Sequence, residues 1–262
     1  MWTYNTTEAD AEERAENKAT SFVEAEANNA EMQKASVTFK RKPWFEKVKS
    51  IIRIFIKETT FEYLGEKPNG KCIILCNHVG TAAPLAWELY SGIPFRFWGA
   101  DEMNKSLTSL YKYQSRIFYH EKKGWNIHLA RLFCLIASPL TYMFYRGLDL
   151  ISTYKDTRFR KTISESLEAF SKEQAVVIFP EKSDNGYLDV LEGFHAGFTV
   201  LGGIALKKGT DLPVYVAYFK KGEKRCIVDK PVMWSALENK YTSREKIAEV
   251  LCDRCNELGQ DY

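Results

Sequence analysis

The chain alternates short apolar runs with segments in which apolar residues recur at helical spacing, and this alternation predicts its secondary structure. Runs typical of buried strands lie at residues 71–76, 95–98, 151–154, 175–179, 212–219 and 226–228. Helical spacing is found at residues 81–90, 159–172, 194–207 and 243–257. Strands that alternate with helices predict an α/β domain, with a mixed, mostly parallel central sheet flanked by helices.

A basic amphipathic helix is predicted before the first strand. Lys49, Arg53 and Lys57 recur every fourth residue and form one stripe. The other face carries the apolar residues Trp44, Val48, Ile51, Ile52 and Phe55. This pattern is typical of a helix that lies in the membrane interface, and an ordinary surface helix docked on the core has the same pattern.

A long apolar stretch runs from Leu129 to Tyr145 and is interrupted by Arg131, Ser138 and Pro139. It is too short and too broken to predict a transmembrane span. We expect a buried hairpin or a segment that dips into a membrane, and the alternative is a helical insertion that only thickens the core.

Charge is distributed unevenly along the chain. Residues 1–35 carry a net charge of −5, which leaves +8 on residues 36–262 from the total of +3. We therefore divide the chain into an acidic mobile or helical segment (1–35), the basic amphipathic helix with possible membrane contact (36–60) and the α/β domain (61–262). A basic body suits an anionic partner such as lipid headgroups, nucleotides or an acidic carrier protein. No nucleic-acid motif, metal-ligand spacing or apolar leader segment accompanies it.

Polar residues able to do chemistry follow directly after two of the predicted strands. Asn77-His78 follows the run 72–76, and Phe179-Pro180-Glu181 ends the run that begins at Ala175. Open α/β sheets bind their ligands at the carboxyl ends of their strands. The two motifs are therefore predicted to lie at one site.

The order of five pieces along the chain resembles the glycerolipid acyltransferase family, of the lysophosphatidic acid acyltransferase type. The pieces are a strand ending in Asn77-His78, a strand with a basic end (151–156), an amphipathic helix leading to Phe179-Pro180-Glu181, a helix opening near Phe194, and a strand from Leu212. The resemblance covers roughly residues 60–235 and implies the family's fold for the α/β domain.

The resemblance implies that His78 is a general base, a task for which the ordinary pKa of histidine is well suited. It would take the proton of an acceptor hydroxyl, which attacks the thioester of acyl-CoA or acyl carrier protein. Glu181 is the second predicted catalytic residue. The residues predicted to bind substrate are Asn77, Lys155, Arg158, Phe179, Pro180, Lys182, Ser183 and Asp184. The donor is a co-substrate, so no cofactor and no metal are expected.

Two positions depart from the family pattern. Ala83 stands where the family has an Asp that orients the histidine, and Asp184 stands where an Arg contacts phosphate. Glu181 or Asp184 is the favoured replacement carboxylate, Asp101 is a further candidate, and Glu88 lies too far along its helix. We expect a lipid acceptor and a location at the cytoplasmic face of a membrane as a peripheral or monotopic protein, and the sequence makes no prediction of oligomeric state. The alternative is a non-catalytic member that binds a lipid or an acyl chain.

Overall fold

The computed structural model describes residues 41–182 and 188–261, and these residues form an α/β fold around one eight-stranded sheet. The strands are β1 (Thr60–Tyr63), β2 (Ile73–Cys76), β3 (Phe95–Ala100), β4 (Ile151–Thr153), β5 (Ala175–Ile178), β6 (Pro213–Lys220), β7 (Arg225–Val228) and β8 (Val232–Met233). Every predicted strand is present, and the sequence analysis missed β1 and β8. The acidic segment 1–35, Ser183 and Asp184 lie outside the described residues.

The sheet has the order β1-β7-β6-β2-β5-β3-β4, and β8 pairs with β6. Five neighbouring strands, from β6 through β2, β5 and β3 to β4, run parallel. β7 and β8 pair antiparallel with β6, and β1 runs parallel to β7. The prediction of a mixed, mostly parallel sheet is therefore confirmed.

The helices are α1 (Pro43–Phe55), α2 (Ala82–Tyr90), α3 (Asp101–Lys105), α4 (Leu107–Lys112), a π-helix (Tyr113–Lys122), α5 (Ile127–Leu148), α6 (Phe159–Ser171), α7 (Gly197–Lys207), α8 (Trp234–Lys240) and α9 (Arg244–Asp261). The helix predicted from Phe194 begins at Gly197 instead, because Phe194 forms a β-bridge with Glu181.

Side chains of the central strands alternate between two apolar layers, one on each face of the sheet. Ile73 and Leu75 face a layer that contains Phe170 and Trp234. Ile74 faces the opposite layer, which is built largely from α2, α1 and the end of α5. Because β2 and β5 are buried along their whole length, they read as continuous apolar runs, as parallel strands covered on both faces do.

Helix α1 packs on the protein through the stripe that the sequence analysis treated as its polar face. Lys49 is buried and forms ion pairs with Glu46 and Glu88, both at 3.1 Å. Arg53 donates two hydrogen bonds to the carbonyl of Leu89. Much of the apolar face of α1 is consequently turned outward, with Phe55 80% exposed.

The prediction of a buried hairpin between Leu129 and Tyr145 is wrong, because α5 is one continuous helix that includes Pro139. A proline interior to a helix removes one backbone hydrogen bond, and here that loss does not end the helix. Among the described residues, α5 alone has the length and apolar composition of a membrane-crossing helix. The alternative that this segment only thickens the core does not describe α5 either, since Ile136 is 74% exposed.

Candidate active site

The two strand-end motifs meet, because β2 and β5 are parallel neighbours in register from Ile73↔Val176 to Leu75↔Ile178. The backbone N–H of His78 donates a 2.9 Å hydrogen bond to Oε2 of Glu181. The imidazole of His78 also contacts the ring of Phe179 edge-on, with 4.9 Å between centroids. The prediction that Glu181 lies beside His78 across the sheet is confirmed.

The chain reverses sharply directly after His78. Val79 has a φ of 20° and Gly80 a φ of 63°. A positive φ is strained for a β-branched residue, and such strain is found preferentially at functional sites, where the surrounding structure enforces it. The carboxylate of Glu181, bound to the His78 N–H at the start of this turn, helps to hold the strained turn in place.

Burial, and after it the positive charge of Lys122, lower the pKa of His78 from 6.5 to about 4. Burial also raises the pKa of Glu181, against the opposing effects of N–H donors from His78 and Leu188 and of Lys122. His78 is therefore a neutral imidazole near pH 7 and is able to accept a proton.

The lowered pKa of His78 should make stability depend on pH. Between pH 7 and pH 4 the unfolded chain takes up a proton at His78, with a pKa near 6.5, that the folded chain does not bind. Acid therefore stabilises the unfolded state, and the free energy of unfolding should fall by about 3 kcal/mol over this range on account of His78. Urea unfolding at a series of pH values measures this loss.

The matched comparison is the variant His78→Ala, which should lose less stability than the wild type between pH 7 and pH 4. His195, which is exposed, supplies the control, because His195→Ala should keep the wild-type pH dependence. Parallel stability curves for the wild type and His78→Ala would contradict the burial of a neutral imidazole.

Asn77 has a structural task that the sequence analysis did not foresee. Its Oδ1 accepts a 2.7 Å hydrogen bond from the N–H of Phe219, and its Nδ2 donates one of 3.2 Å to the carbonyl of Phe219. These bonds continue the pairing of β2 with β6 beyond its last pair, Cys76↔Ala217. Contact of Asn77 with a substrate stays a prediction.

The variant Asn77→Ala should lower the free energy of unfolding by about 2–4 kcal/mol, because it leaves both backbone groups of Phe219 buried without these partners. Asn77 and Phe219 are almost completely buried. Chemical denaturation measures the change, with the exposed Asn239 of α8 giving Asn239→Ala as the control. A loss no larger than that of the control would rule out a structural role for the Asn77 amide.

The carboxylates considered as partners for His78 have other contacts. Ala83 is fully buried in α2, so no carboxylate stands at that position. Glu88 pairs with Arg41 and Lys49, and Asp101 lies 3.7 Å from Arg158. Glu181 is thus the carboxylate that the described structure places in contact with His78, through the backbone.

Lys155 and Arg158 lie at the same edge of the sheet but away from its centre. They follow β4, which is the third strand from β2, so about 14 Å of sheet separates the two strands. Arg158 bonds to Asp156 at 2.8–3.0 Å and covers the ring of Tyr154 at 4.5 Å. The structure therefore does not group these two cations closely with His78.

The segment after Phe179 is held by a neighbouring strand-like segment. The N–H of His195 donates to the carbonyl of Pro180 at 2.7 Å, and the N–H of Lys182 donates to Gly193 at 2.9 Å. Glu181 is buried between them, while Lys182 is exposed. This pairing fixes the direction of the Glu181 side chain toward β2.

The charge of Lys122 acts on the candidate site, and this residue was missed by the sequence analysis. It is the last residue of the π-helix, and its charge lowers the pKa of both His78 and Glu181. π-Helical turns occur frequently at functional sites. The sequence carries no clear signal for this residue, because its position relative to His78 depends on the packing of the π-helix.

No cluster of three or more His, Cys, Asp or Glu side chains suited to a metal ion occurs among residues 41–182 and 188–261. All six cysteines are buried and unbridged. No protein-family model matches the chain, and no curated protein matches it significantly. The family resemblance therefore depends on the order and geometry of the motifs themselves.

Proposed function

We propose that the protein is an acyltransferase that moves a fatty acyl group from a thioester donor, acyl-CoA or acyl carrier protein, to a lipid hydroxyl. The acceptor is a lysophospholipid, glycerol phosphate or a related molecule. The observation that carries the proposal is the contact of His78 with Glu181 and Phe179 at the ends of two adjacent parallel strands. That contact joins the two motifs on which the family resemblance depends.

In this reaction the neutral imidazole of His78 takes the proton of the acceptor hydroxyl as the hydroxyl oxygen attacks the thioester carbonyl. The new ester C–O bond forms, the C–S bond breaks, and the thiol leaves with the proton returned by His78. A cation beside a buried imidazole disfavours its protonation. An acceptor with a negatively charged headgroup would offset Lys122 and make His78 a stronger base in the complex.

The cations near the motifs support an anionic acceptor. The charge of Lys122 acts on both His78 and Glu181, and the exposed Lys182 follows Glu181 directly. The exposed Lys155 lies farther along the same edge of the sheet, where Arg158 is paired with Asp156. A lipid acceptor is in turn consistent with a peripheral or monotopic protein at the cytoplasmic face of a membrane.

The test is an acyl-transfer assay with the purified full chain. Acyl-CoA and acyl carrier protein would each be offered with lysophosphatidate, glycerol 3-phosphate, neutral lysolipids and simple alcohols, with thiol release and acylated product both measured. We expect product with at least one donor and a preference for phosphate-bearing acceptors. Thiol release no faster than spontaneous thioester hydrolysis throughout the panel would refute the proposal.

A second candidate function is a non-catalytic lipid- or acyl-chain-binding protein of similar fold. Two observations favour it: Ala83 cannot orient a histidine, and Glu181 bonds to the backbone N–H of His78. Such a protein would bind acyl chains or lysolipids without turnover. The absence of acyl transfer by the wild type separates it from the enzyme.

A further inference from the structure

Helix α5 has two faces of opposite character. Ala130, Cys134 and Ser138 are buried on one face, where α5 packs against α3, α4 and the π-helix. Ser138 donates a buried 2.7 Å hydrogen bond to Gln114 of the π-helix. On the other face Leu132, Ile136 and Leu140 are 64%, 74% and 62% exposed. An apolar row of this kind along a long helix marks an interaction surface.

Helix α1 continues this surface. The ring of Phe45 contacts Phe144 of α5 at 5.2 Å between centroids, and it lies over Gly147, where a side chain would collide with it. Ile54 and Phe55 of α1 are 77% and 80% exposed. We call the outward apolar residues of α1 and α5 together the apolar face.

The charges around the apolar face fit a lipid surface. Helix α5 contains no acidic residue, and the one acidic residue of α1, Glu46, pairs with Lys49. Lys47 and Arg131 are exposed. Two copies of the chain joined through this face would bring like charges together, whereas anionic headgroups would complement them.

Aromatic residues border the face, as they do where proteins meet the membrane interface. Trp44 is partly exposed at the start of α1. Before α5, Trp125 packs against Tyr119 and against Phe133 of the helix, with centroid distances of 4.9 and 5.5 Å. Their indole rings provide an amphipathic boundary between apolar side chains and polar headgroups.

We propose that the apolar face inserts into one leaflet of a lipid bilayer and that α5 lies in the plane of the membrane without crossing it. A crossing helix would leave α3, α4 and the π-helix and would break the buried bond between Ser138 and Gln114. Insertion of the outer row alone keeps this packing. The inference deepens the membrane association proposed above, and it does not depend on catalysis.

This arrangement connects the membrane to the candidate active site. The π-helix packs against α5 and ends at Lys122, whose charge acts on His78 and Glu181. The apolar face is thus linked to the candidate site through α5 and the π-helix.

The first test is flotation of the full chain with vesicles of phosphatidylcholine and phosphatidylglycerol. Ile136→Glu and Ile54→Glu place a charge in the apolar face, and each should lower the partition coefficient about tenfold or more. Val232→Glu, at an exposed apolar position on β8 (41% exposed), is the matched control and should float like the wild type. Circular dichroism checks that each variant is folded. Unchanged flotation of both face variants would overturn the proposal.

The second test determines the orientation of α5. The native cysteines are buried, so cysteines introduced as His128→Cys and Arg146→Cys at the two ends of α5 can be labelled selectively. With protein bound to preformed vesicles, an impermeant thiol reagent should label both ends, while Ile136→Cys should be protected. Labelling of one end alone would show a crossing helix and overturn the in-plane arrangement. Protection of Ile136→Cys from the reagent in the absence of lipid, by a dimer that forms at higher protein concentration, would also overturn the proposal.

These binding measurements use no acyl donor, so an inactive protein still gives an answer. A protein that transfers acyl groups to soluble acceptors but does not float would overturn this inference and leave the proposed function standing. Conversely, flotation without acyl transfer would support the membrane surface and reject the enzyme.

Discussion

Replacement of His78 by Ala should lower kcat for acyl transfer by about 10²–10⁴-fold, the range expected when a positioned general base is removed. The reason is that the acceptor hydroxyl would lose the group that takes its proton during attack on the thioester. The measurement is steady-state transfer with the best donor and acceptor from the panel. KM should change much less than kcat, because a base acts mainly in the transition state.

The pH profile adds a readout that a purely structural role of His78 would not produce. Since burial and Lys122 lower the pKa of His78 to about 4, kcat/KM of the wild type should stay level well below pH 6.5. His195→Ala is the control for loss of an exposed histidine near the same edge. Equal turnover by the wild type and His78→Ala would reject His78 as the general base.

The central strands could be predicted because their sequences show a single, unambiguous hydrophobic pattern. β2 and β5 are buried on both faces, so each is a short continuous apolar run bounded by polar residues. The two missed strands lie at the periphery of the sheet. β1 mixes exposed and partly buried positions, and β8 has only two residues, both exposed. Such strands depend on a neighbour for their hydrogen bonds and have little pattern of their own.

The error at α5 has a specific cause. Pro139 and the polar interruptions of the apolar stretch suggested a hairpin. The helix instead accepts the proline and leaves Leu132, Ile136 and Leu140 exposed. The rule that a protein core consists of apolar residues does not mean that every apolar residue is buried. The exposed row is informative because it breaks that rule.

The candidate site was predictable in its position but not in its detailed contacts. Parallel neighbours bring their carboxyl ends together, so the meeting of Asn77-His78 with Phe179-Pro180-Glu181 follows from the fold class. The use of the Asn77 amide to bridge to Phe219 depends on β6, far away in sequence. The approach of Lys122 depends on a π-helix, a geometry that residue propensities do not encode.

Glu88→Gln should lower the free energy of unfolding by about 3–5 kcal/mol, the cost of removing one partner from a buried ion pair. Glu88 holds two cations: Arg41 bonds to it at 2.9 and 3.2 Å, and Lys49 lies 3.1 Å away. The three side chains are only 2%, 4% and 9% exposed. Glutamine keeps the shape of the side chain and removes its charge, so both cations would lose a buried counter-charge, although Lys49 would keep its pair with Glu46.

The size of this effect can be separated from a simple packing defect by a second substitution. Lys49→Met in the Glu88→Gln background removes one of the two cations that Glu88 neutralises in the wild type. It should recover part of the lost stability, because replacing a buried ion pair by apolar groups is often nearly neutral. Glu168→Gln disrupts an exposed ion pair with Lys172 and should leave the urea midpoint almost unchanged.

Because Arg41 and Lys49 join the start of α1 to α2, Glu88→Gln should also loosen α1, which hydrogen exchange of its amides would detect as lost protection. Wild-type stability with wild-type protection of α1 would mean that apolar contacts such as Phe45 with Phe144, and not the charges, hold this helix in place.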